Sequence, residues 1–122
     1  MKIGGRSLVY VCSPLRASTP EGQAQNEATA ARMCQILWEM GFLPVAPHLY
    51  FPRFAPDSDP RSRAGGIKAG LELIAYCERM VVLDAPPSEG MRGEIEEAIR
   101  LGIPIHPFAT RASLEPLRAA TV

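Results

Sequence analysis

Residues 80–83 (MVVL) form an unbroken apolar run, and a helical pattern begins soon after, at Ser88, and continues to about residue 101. This order predicts a buried strand, a loop and the N-terminus of a helix. In α/β sheets, such a junction directs backbone N–H groups and the positive end of the helix dipole into the crevice beyond the strand ends. The segment therefore predicts a sheet of the α/β type with a ligand site at this junction.

Strand and helix patterns alternate along the rest of the chain. Further apolar runs predict strands at residues 7–12, 42–46 and 103–108. Helical spacing predicts helices at residues 22–40, 61–78 and 88–101, and a last one at 113–119 that is capped by Ser113. This order predicts one α/β domain over residues 1–122, a three-layer α/β/α sandwich with a four- to five-stranded, mainly parallel, flavodoxin- or Rossmann-like sheet. A fifth strand is expected to be short or hidden in the proline-rich segment 47–60, which predicts a lid or an interface loop.

Charge and cysteine content exclude several classes of protein. Thirteen basic and thirteen acidic residues balance, which argues against a nucleic acid polymer or a membrane as partner and is compatible with a homo-oligomer. The three cysteines have no metal-ligand spacing, so neither a metal nor a cofactor is expected. No stretch approaches the ~20 apolar residues that span a bilayer. These features predict a cytoplasmic protein.

Polar side chains follow three of the predicted strands, at the sheet edge where sites of this fold class form. They are Tyr10, Cys12, Ser13 and Arg16 after the first strand, His48 and Tyr50 after the second, and Asp84, Ser88 and Glu94 after the third. Gly90 and Met91, between Ser88 and Glu94, are further candidates for substrate binding. A helical side chain leans back over the preceding turn, and Gly90 leaves Glu94 uncovered there. Glu94 is therefore the candidate for chemistry, and a surface glutamate is the alternative interpretation.

Each of the other candidates has a structural alternative. Ser88 and the amides after it fit a phosphate or a sugar hydroxyl, or Ser88 is a plain helix cap. Arg16 is an anion clamp or a solvated loop residue. His48 is a base or donor, or it satisfies a local backbone group. Phosphate binding is one interpretation of the charge run formed by Arg53, Arg61, Arg63 and Lys68, but such a run near a loop is usually solvated. Residues 65–70 lack the order of a phosphate-binding loop.

Two motifs resemble the nucleoside 2-deoxyribosyltransferase superfamily, including its deoxynucleoside-monophosphate N-glycosidase branch. Residues 10–16 (YVCSPLR) look like the signature of the first strand in that branch, and Ser88-x-Gly90-x-x-x-Glu94 looks like its S-x-G-x-x-x-E segment. The resemblance implies that Glu94 is the nucleophile, that Ser88 contacts phosphate and that Tyr10 orients the carboxylate. A microbial and phage subgroup sharing the PHLYFP and SEGM segments is more similar still.

The second carboxylate of the family falls at Gly70 here. Retaining glycoside chemistry normally uses two carboxyl groups, one to attack the anomeric carbon and one to protonate the leaving group. The candidates for the second role are Asp84, Glu72, Asp57, Asp59, a protonated His48 or a residue of a neighbouring subunit.

The leading hypothesis is an N-glycosidase or deoxyribosyltransferase-like enzyme that acts on a small-molecule nucleoside or nucleotide. The alternative is a non-catalytic nucleotide- or sugar-phosphate-binding module that has lost its general acid. A purely structural oligomer-forming protein is the third possibility, and it predicts that no pocket joins Tyr10, Ser88 and Glu94.

Overall fold

Five β-strands and three α-helices alternate along residues 1–56 and 58–117, which are the residues described by the computed structural model. The strands are β1 (Lys2–Ile3), β2 (Arg6–Cys12), β3 (Leu43–Val45), β4 (Arg79–Leu83) and β5 (Ile105–Phe108). The helices are α1 (Pro20–Glu39), α2 (Pro60–Ile74) and α3 (Glu89–Leu101). Short 3-10 turns lie at Pro47–Leu49, Phe51–Arg53 and Arg111–Leu114.

The parallel part of the sheet has the order β3-β2-β4-β5, and β1 pairs antiparallel with the start of β2. Tyr10 on β2 lies opposite Val45 on β3 and Met80 on β4. The chain therefore adds β3 on one side of β2 and β4 on the other. Ligands of open α/β sheets bind at such a change of direction, outside the carboxyl ends of the strands.

Alternate residues of β2 contribute to two separate cores. Val9 and Val11 pack in the same buried cluster as Met33 and Leu37 of α1. On the other face, Tyr10 belongs to a cluster that includes residues of α2 and α3. This alternation follows from the two-residue period of a strand. The predicted three-layer α/β/α architecture with a mainly parallel sheet is confirmed.

The boundaries of α3 are set by its two caps. The Ser88 side chain accepts a hydrogen bond from the Met91 backbone N–H, which satisfies one of the unpaired donors at the helix start. Gly102 ends the helix with φ of 71°, a left-handed conformation that favours glycine. Because the helix begins at Glu89, Glu94 lies in its second turn, as predicted.

Three predicted elements differ from the structure. The fifth strand is the two-residue β1 near the N-terminus, so the expectation of a short strand is confirmed, whereas residues 47–56 contain two 3-10 turns and no strand. Helix α2 ends at Ile74 rather than at residue 78, since β4 already begins at Arg79. The last predicted helix starts as a 3-10 turn that is capped by Thr110 instead of Ser113, and residues 118–119 lie outside the described residues.

Candidate active site

A cleft of about 670 Å³ opens at the carboxyl end of β2. Its walls come from the loop after β2, segment 47–55, α2 and the first turns of α3. Tyr10, Ser88 and Glu94 all line it, so the structure brings together the three residues on which the enzyme hypothesis depends. The hypothesis of a purely structural protein predicted that no pocket joins these three residues, and that prediction was wrong.

Glu94 and Tyr10 are in direct contact in this cleft. The Tyr10 hydroxyl donates a hydrogen bond to Oε2 of Glu94, and only 1% of the Tyr10 side chain is exposed. On the other carboxylate oxygen, the Cys12 thiol lies 3.6 Å from Oε1. The same thiol is 3.8 Å from the Met91 carbonyl oxygen. Both oxygens of Glu94 therefore have a donor from β2, which fixes the orientation of the carboxylate.

The surroundings of Glu94 also control its protonation. Burial raises its pKa to about 7, although the hydrogen bonds from Tyr10 and Cys12 act in the opposite direction. Burial and the nearby Glu94 charge raise the pKa of Tyr10 well above its ordinary value, so the hydroxyl keeps its proton. The same causes raise the pKa of Cys12. Glu94 is thus the member of this trio that changes charge near neutral pH, and Cys12 stays a thiol.

Ser13 and His48 form a second polar pair in the cleft. Ser13 Oγ lies 2.9 Å from His48 Nε2, and the Ser13 residue is 4% exposed. Burial lowers the pKa of His48 to about 4, so the imidazole is neutral at physiological pH. A protonated His48 was one candidate for the missing general acid, and this protonation state argues against it.

Residues at the start of α3 have two kinds of role. Ser88 is exposed and lines the cleft, but its oxygen already accepts from the Met91 N–H, as expected for a helix cap. Gly90 lines the cleft beside it, and Arg16 lines it from the loop after β2. Met91 also lines the cleft, although it is only 1% exposed and its carbonyl oxygen faces Cys12.

Most acidic candidates for the second carboxylate do not line the cleft. Asp84 is exposed and is not among the cleft residues. Glu72 lines a separate groove of about 350 Å³, and Asp59 caps α2 through the Arg61 N–H. Asp57 lies outside the described residues. Among the carboxylates of the described chain, the cleft is lined by Glu94 and by Glu89, which is exposed at its mouth.

Gly70 lies against the pair formed by Tyr10 and Glu94. A Cβ atom built on Gly70 would be 3.4 Å from the Tyr10 hydroxyl oxygen, which is ordinary contact distance. A side chain at this position would therefore reach the Tyr10 and Glu94 groups. Because position 70 is a glycine, the space that a side chain would fill is part of the cleft.

One face of α2 was missed as a wall of the site. Arg63, Gly66, Ile67 and Gly70 follow the helical spacing of i, i+3, i+4 and i+7, and all four line the cleft. The spacing is visible in the sequence, but Arg63 was interpreted as solvated and the glycines were considered only as a phosphate loop. The other cleft residues that the sequence analysis did not select include Leu15, Ala17, Ser18, Phe51 and Glu89.

The described residues contain neither a cluster of metal ligands nor a helix that could span a membrane. Nowhere in residues 1–56 and 58–117 do three or more His, Cys, Asp or Glu side chains come together in a way that would hold a metal ion. Over the same residues, no helix is both long enough and apolar enough to cross a bilayer.

The fold is that of the 2-deoxyribosyltransferases. The chain is similar to the solved structure of a 2-deoxyribosyltransferase from the psychrotolerant bacterium Bacillus psychrosaccharolyticus, with a TM-score of 0.66 and 18% identity over 89% of this chain and 90% of that chain. It is also similar to a 2-deoxyribosyltransferase from Leishmania mexicana, with a TM-score of 0.60 and 16% identity over 85% of this chain and 65% of that one. At these identities the similarity establishes the fold, which is the fold that the resemblance in the sequence implied.

The chain belongs to the family DUF7768, described as a domain of unknown function, whose model matches residues 7–108. No curated protein matches the chain.

Proposed function

We propose that this protein cleaves the bond between base and sugar of a nucleoside or nucleotide, with Glu94 as the nucleophile. The observation that carries the proposal is that Glu94 and Tyr10 are in contact inside a cleft large enough for such a ligand, with the buried Cys12 behind the carboxylate and outside the cleft lining. A carboxylate with both oxygens held by donors keeps one orientation, which favours attack on a bound anomeric carbon. The similarity to 2-deoxyribosyltransferases supports the same class of substrate.

The proposed reaction has two steps. Glu94 attacks C1′ of the sugar while the base departs, and a glycosyl ester forms on the carboxylate. Water or a second base then attacks C1′ and releases Glu94. The protein is an N-glycosidase if water is the acceptor and a deoxyribosyltransferase if a second base is. Water needs no dedicated binding site, because the cleft is open to solvent.

The proposed binding mode follows the charges of the cleft. Arg16 and the N-terminal turn of α3, with Ser88 and Gly90, offer positive charge and the helix dipole to an anion. A 5′-phosphate fits this end of the cleft. His48 and Ser13 offer neutral donors and acceptors for sugar hydroxyls.

The direct test is to incubate the protein with a panel of nucleosides, deoxynucleotides and dinucleotides and to measure the release of free base by chromatography. Base release by the wild-type protein that is lost in Glu94→Gln supports the proposal. Equal release by the two proteins contradicts it.

A non-catalytic nucleotide- or sugar-phosphate-binding module is the second candidate, and Gly70 favours it because no acidic side chain occupies this position beside Tyr10. Such a module is stabilised by its ligand without consuming it. Thermal shift with the same panel, followed by analysis of the recovered ligand, separates the two functions. Absence of any shift contradicts the binding module.

A further inference from the structure

The cleft has an apolar side that the Glu94 chemistry leaves unexplained. This side consists of Phe51 and of the α2 residues Gly66, Ile67, Gly70 and Leu71, with Arg63 at one end; we call it the α2 face. The face is flat at positions 66 and 70, because glycine has no side chain that would project into the cleft. An aromatic ring and a flat apolar wall suit the faces of a nucleobase, which stack on such surfaces.

The composition of the cleft walls assigns the two ends of the ligand to different parts of the cleft. The start of α3 and Arg16 offer a polar, positively charged wall to the anionic part, whereas Phe51, Ile67 and Leu71 give the α2 face the apolar area that a base needs. Gly70 lies beside the Tyr10 hydroxyl at one end of that face. Arg63 lies seven residues earlier, about 10 Å away along the helix axis at 1.5 Å per residue. A purine ring and a long arginine side chain together span such a distance.

Arg63 is available for a ligand. The residue is exposed at the cleft wall, and its guanidinium has no hydrogen bond or ion pair with the described part of the chain. Arg61, on the same helix, does not line the cleft. Arg63 is therefore the charged group of α2 that faces this space.

Departure of a base requires stabilisation of the electron pair that it carries away. In the described cleft, His48 is neutral, Glu89 lies at the mouth and position 70 has no side chain. A fixed positive charge at the site where negative charge develops can replace a proton donor. A guanidinium binds the O6 and N7 acceptors of a 6-oxopurine with two parallel hydrogen bonds.

We infer that the α2 face is the subsite for the leaving base and that Arg63 selects 6-oxopurines by binding O6 and N7. This inference rests on the proposed function. As Glu94 bonds to C1′, the C1′–N9 bond breaks and its electron pair goes to N9. The negative charge spreads to N7 and O6, where Arg63 stabilises it, and the free base then takes a proton from water. Hydrolysis of the glycosyl ester adds OH to C1′, so one water is consumed for each base released.

Adenine lacks this complementarity. It presents an amino donor at position 6, which faces the guanidinium donors unfavourably. The wild-type protein is therefore expected to release hypoxanthine and guanine faster than adenine from matched deoxynucleosides and their 5′-monophosphates. One bidentate contact to a base corresponds to a preference of roughly 5- to 150-fold.

The experiment compares base release by wild type, Arg63→Ala, Arg63→Lys and the control Arg61→Ala, with deoxyinosine, deoxyguanosine and deoxyadenosine and their 5′-monophosphates. Arg63→Ala is expected to lower kcat for hypoxanthine and guanine release much more than for adenine release, so that the 6-oxopurine preference is lost. Arg63→Lys keeps the positive charge but not the two parallel hydrogen bonds of the guanidinium. It is therefore expected to recover part of the rate of base release but little of the preference for 6-oxopurines. Arg61→Ala is expected to match wild type.

Melting temperatures of the four proteins show whether each variant folds, and an exposed arginine is expected to be replaced without loss of the fold. If wild type is active and Arg63→Ala keeps its base preference, the inference is overturned and the proposed function stands. If Arg61→Ala changes the preference as much as Arg63→Ala, the subsite assignment is also overturned. If wild type releases no base from any substrate, the proposed function fails and takes this inference with it.

Discussion

The Tyr10 hydroxyl donates a hydrogen bond to the Glu94 carboxylate, joining the central strand β2 to the start of α3 across 84 positions of sequence. Tyr10 is held by the sheet and is almost fully buried, so it gives the carboxylate a fixed reference point. Cys12, two residues further along the same face of β2, contacts the other oxygen. The sheet thus orients the nucleophile proposed here, and the helix supplies it.

Removal of this hydrogen bond is expected to change the pH dependence of activity. The bond from Tyr10 lowers the pKa of Glu94 against the effect of burial, so Tyr10→Phe raises the pKa above about 7. The rising limb of kcat/KM then moves to higher pH. A hydrogen bond to a charged group contributes ~1.5–3 kcal/mol, so the rate at neutral pH is expected to fall roughly tenfold or more.

The control is Tyr76→Phe, which changes an exposed tyrosine outside this cleft. A merely structural role of Tyr10 would lower the amount of folded protein without moving the pH profile. An unchanged profile in Tyr10→Phe contradicts the positioning role.

Gly70→Asp is expected to restore a second carboxyl group beside the first. The Cβ of the new residue reaches the Tyr10 hydroxyl without a severe clash. Two carboxyl groups in one site titrate as a coupled pair, so the pH profile is expected to become bell-shaped. Release of adenine, which depends most on protonation, is expected to increase relative to hypoxanthine.

Gly65→Asp is the matched control, because a side chain at position 65 of the same helix meets nothing within 4 Å. Kinetic data over pH 5 to 9, chosen as the working range, distinguish the two variants. A profile for Gly70→Asp that keeps a single rising limb counts against the placement of position 70 beside the reactive pair.

Glu94 and His48 are expected to affect stability in opposite directions. The folded-state pKa of Glu94, about 7, is raised above its ordinary value of 4.5. Its contribution favours the folded state at low pH and is lost as pH rises from 4.5 through 7. The change in the free energy of unfolding that Glu94→Gln causes is therefore expected to be more favourable above pH 7 than below pH 4.5, by roughly 3 kcal/mol. Denaturant unfolding at pH 4 and pH 8 measures the difference, and equal effects at both pH values contradict it.

The buried His48 gives the reverse dependence. Burial lowers its pKa from 6.5 to about 4, so the unfolded chain binds a proton more readily and stability falls as pH drops from 6.5 through 4. His48→Gln removes this dependence, so the variant is expected to avoid a loss of roughly 3 kcal/mol in the free energy of unfolding below pH 4. The two effects partly cancel in the wild-type protein. The same unfolding series on His48→Gln checks the sign, and greater acid sensitivity than wild type contradicts it.

The sequence predicted the parallel strands and the Glu94 junction well because these features depend on local patterns. An apolar run of four or five residues marks a buried strand, and Ser88 with Gly102 marks the ends of a helix whatever surrounds them. The S-x-G-x-x-x-E spacing then places the carboxylate in the second turn. The short β1 was missed because a two-residue strand carries no periodicity.

The far wall of the cleft was harder to predict because it depends on how α2 packs against segment 47–55. Nothing local distinguishes a solvated Arg63 from one at a cleft wall. Asp84 is the opposite case, since a residue directly after a strand was predicted in the site, whereas it is exposed and does not line the cleft. Both cases depend on tertiary geometry that strand and helix patterns do not contain.

The most direct test of the account is the rate of base release by Glu94→Gln beside Glu96→Gln, which changes an exposed glutamate of the same helix. Loss of a covalent nucleophile is expected to reduce the rate by roughly 1,000-fold or more, whereas the Glu96 variant keeps the wild-type rate. Matching rates for Glu94→Gln and wild type, with both proteins folded, would contradict the central role of Glu94.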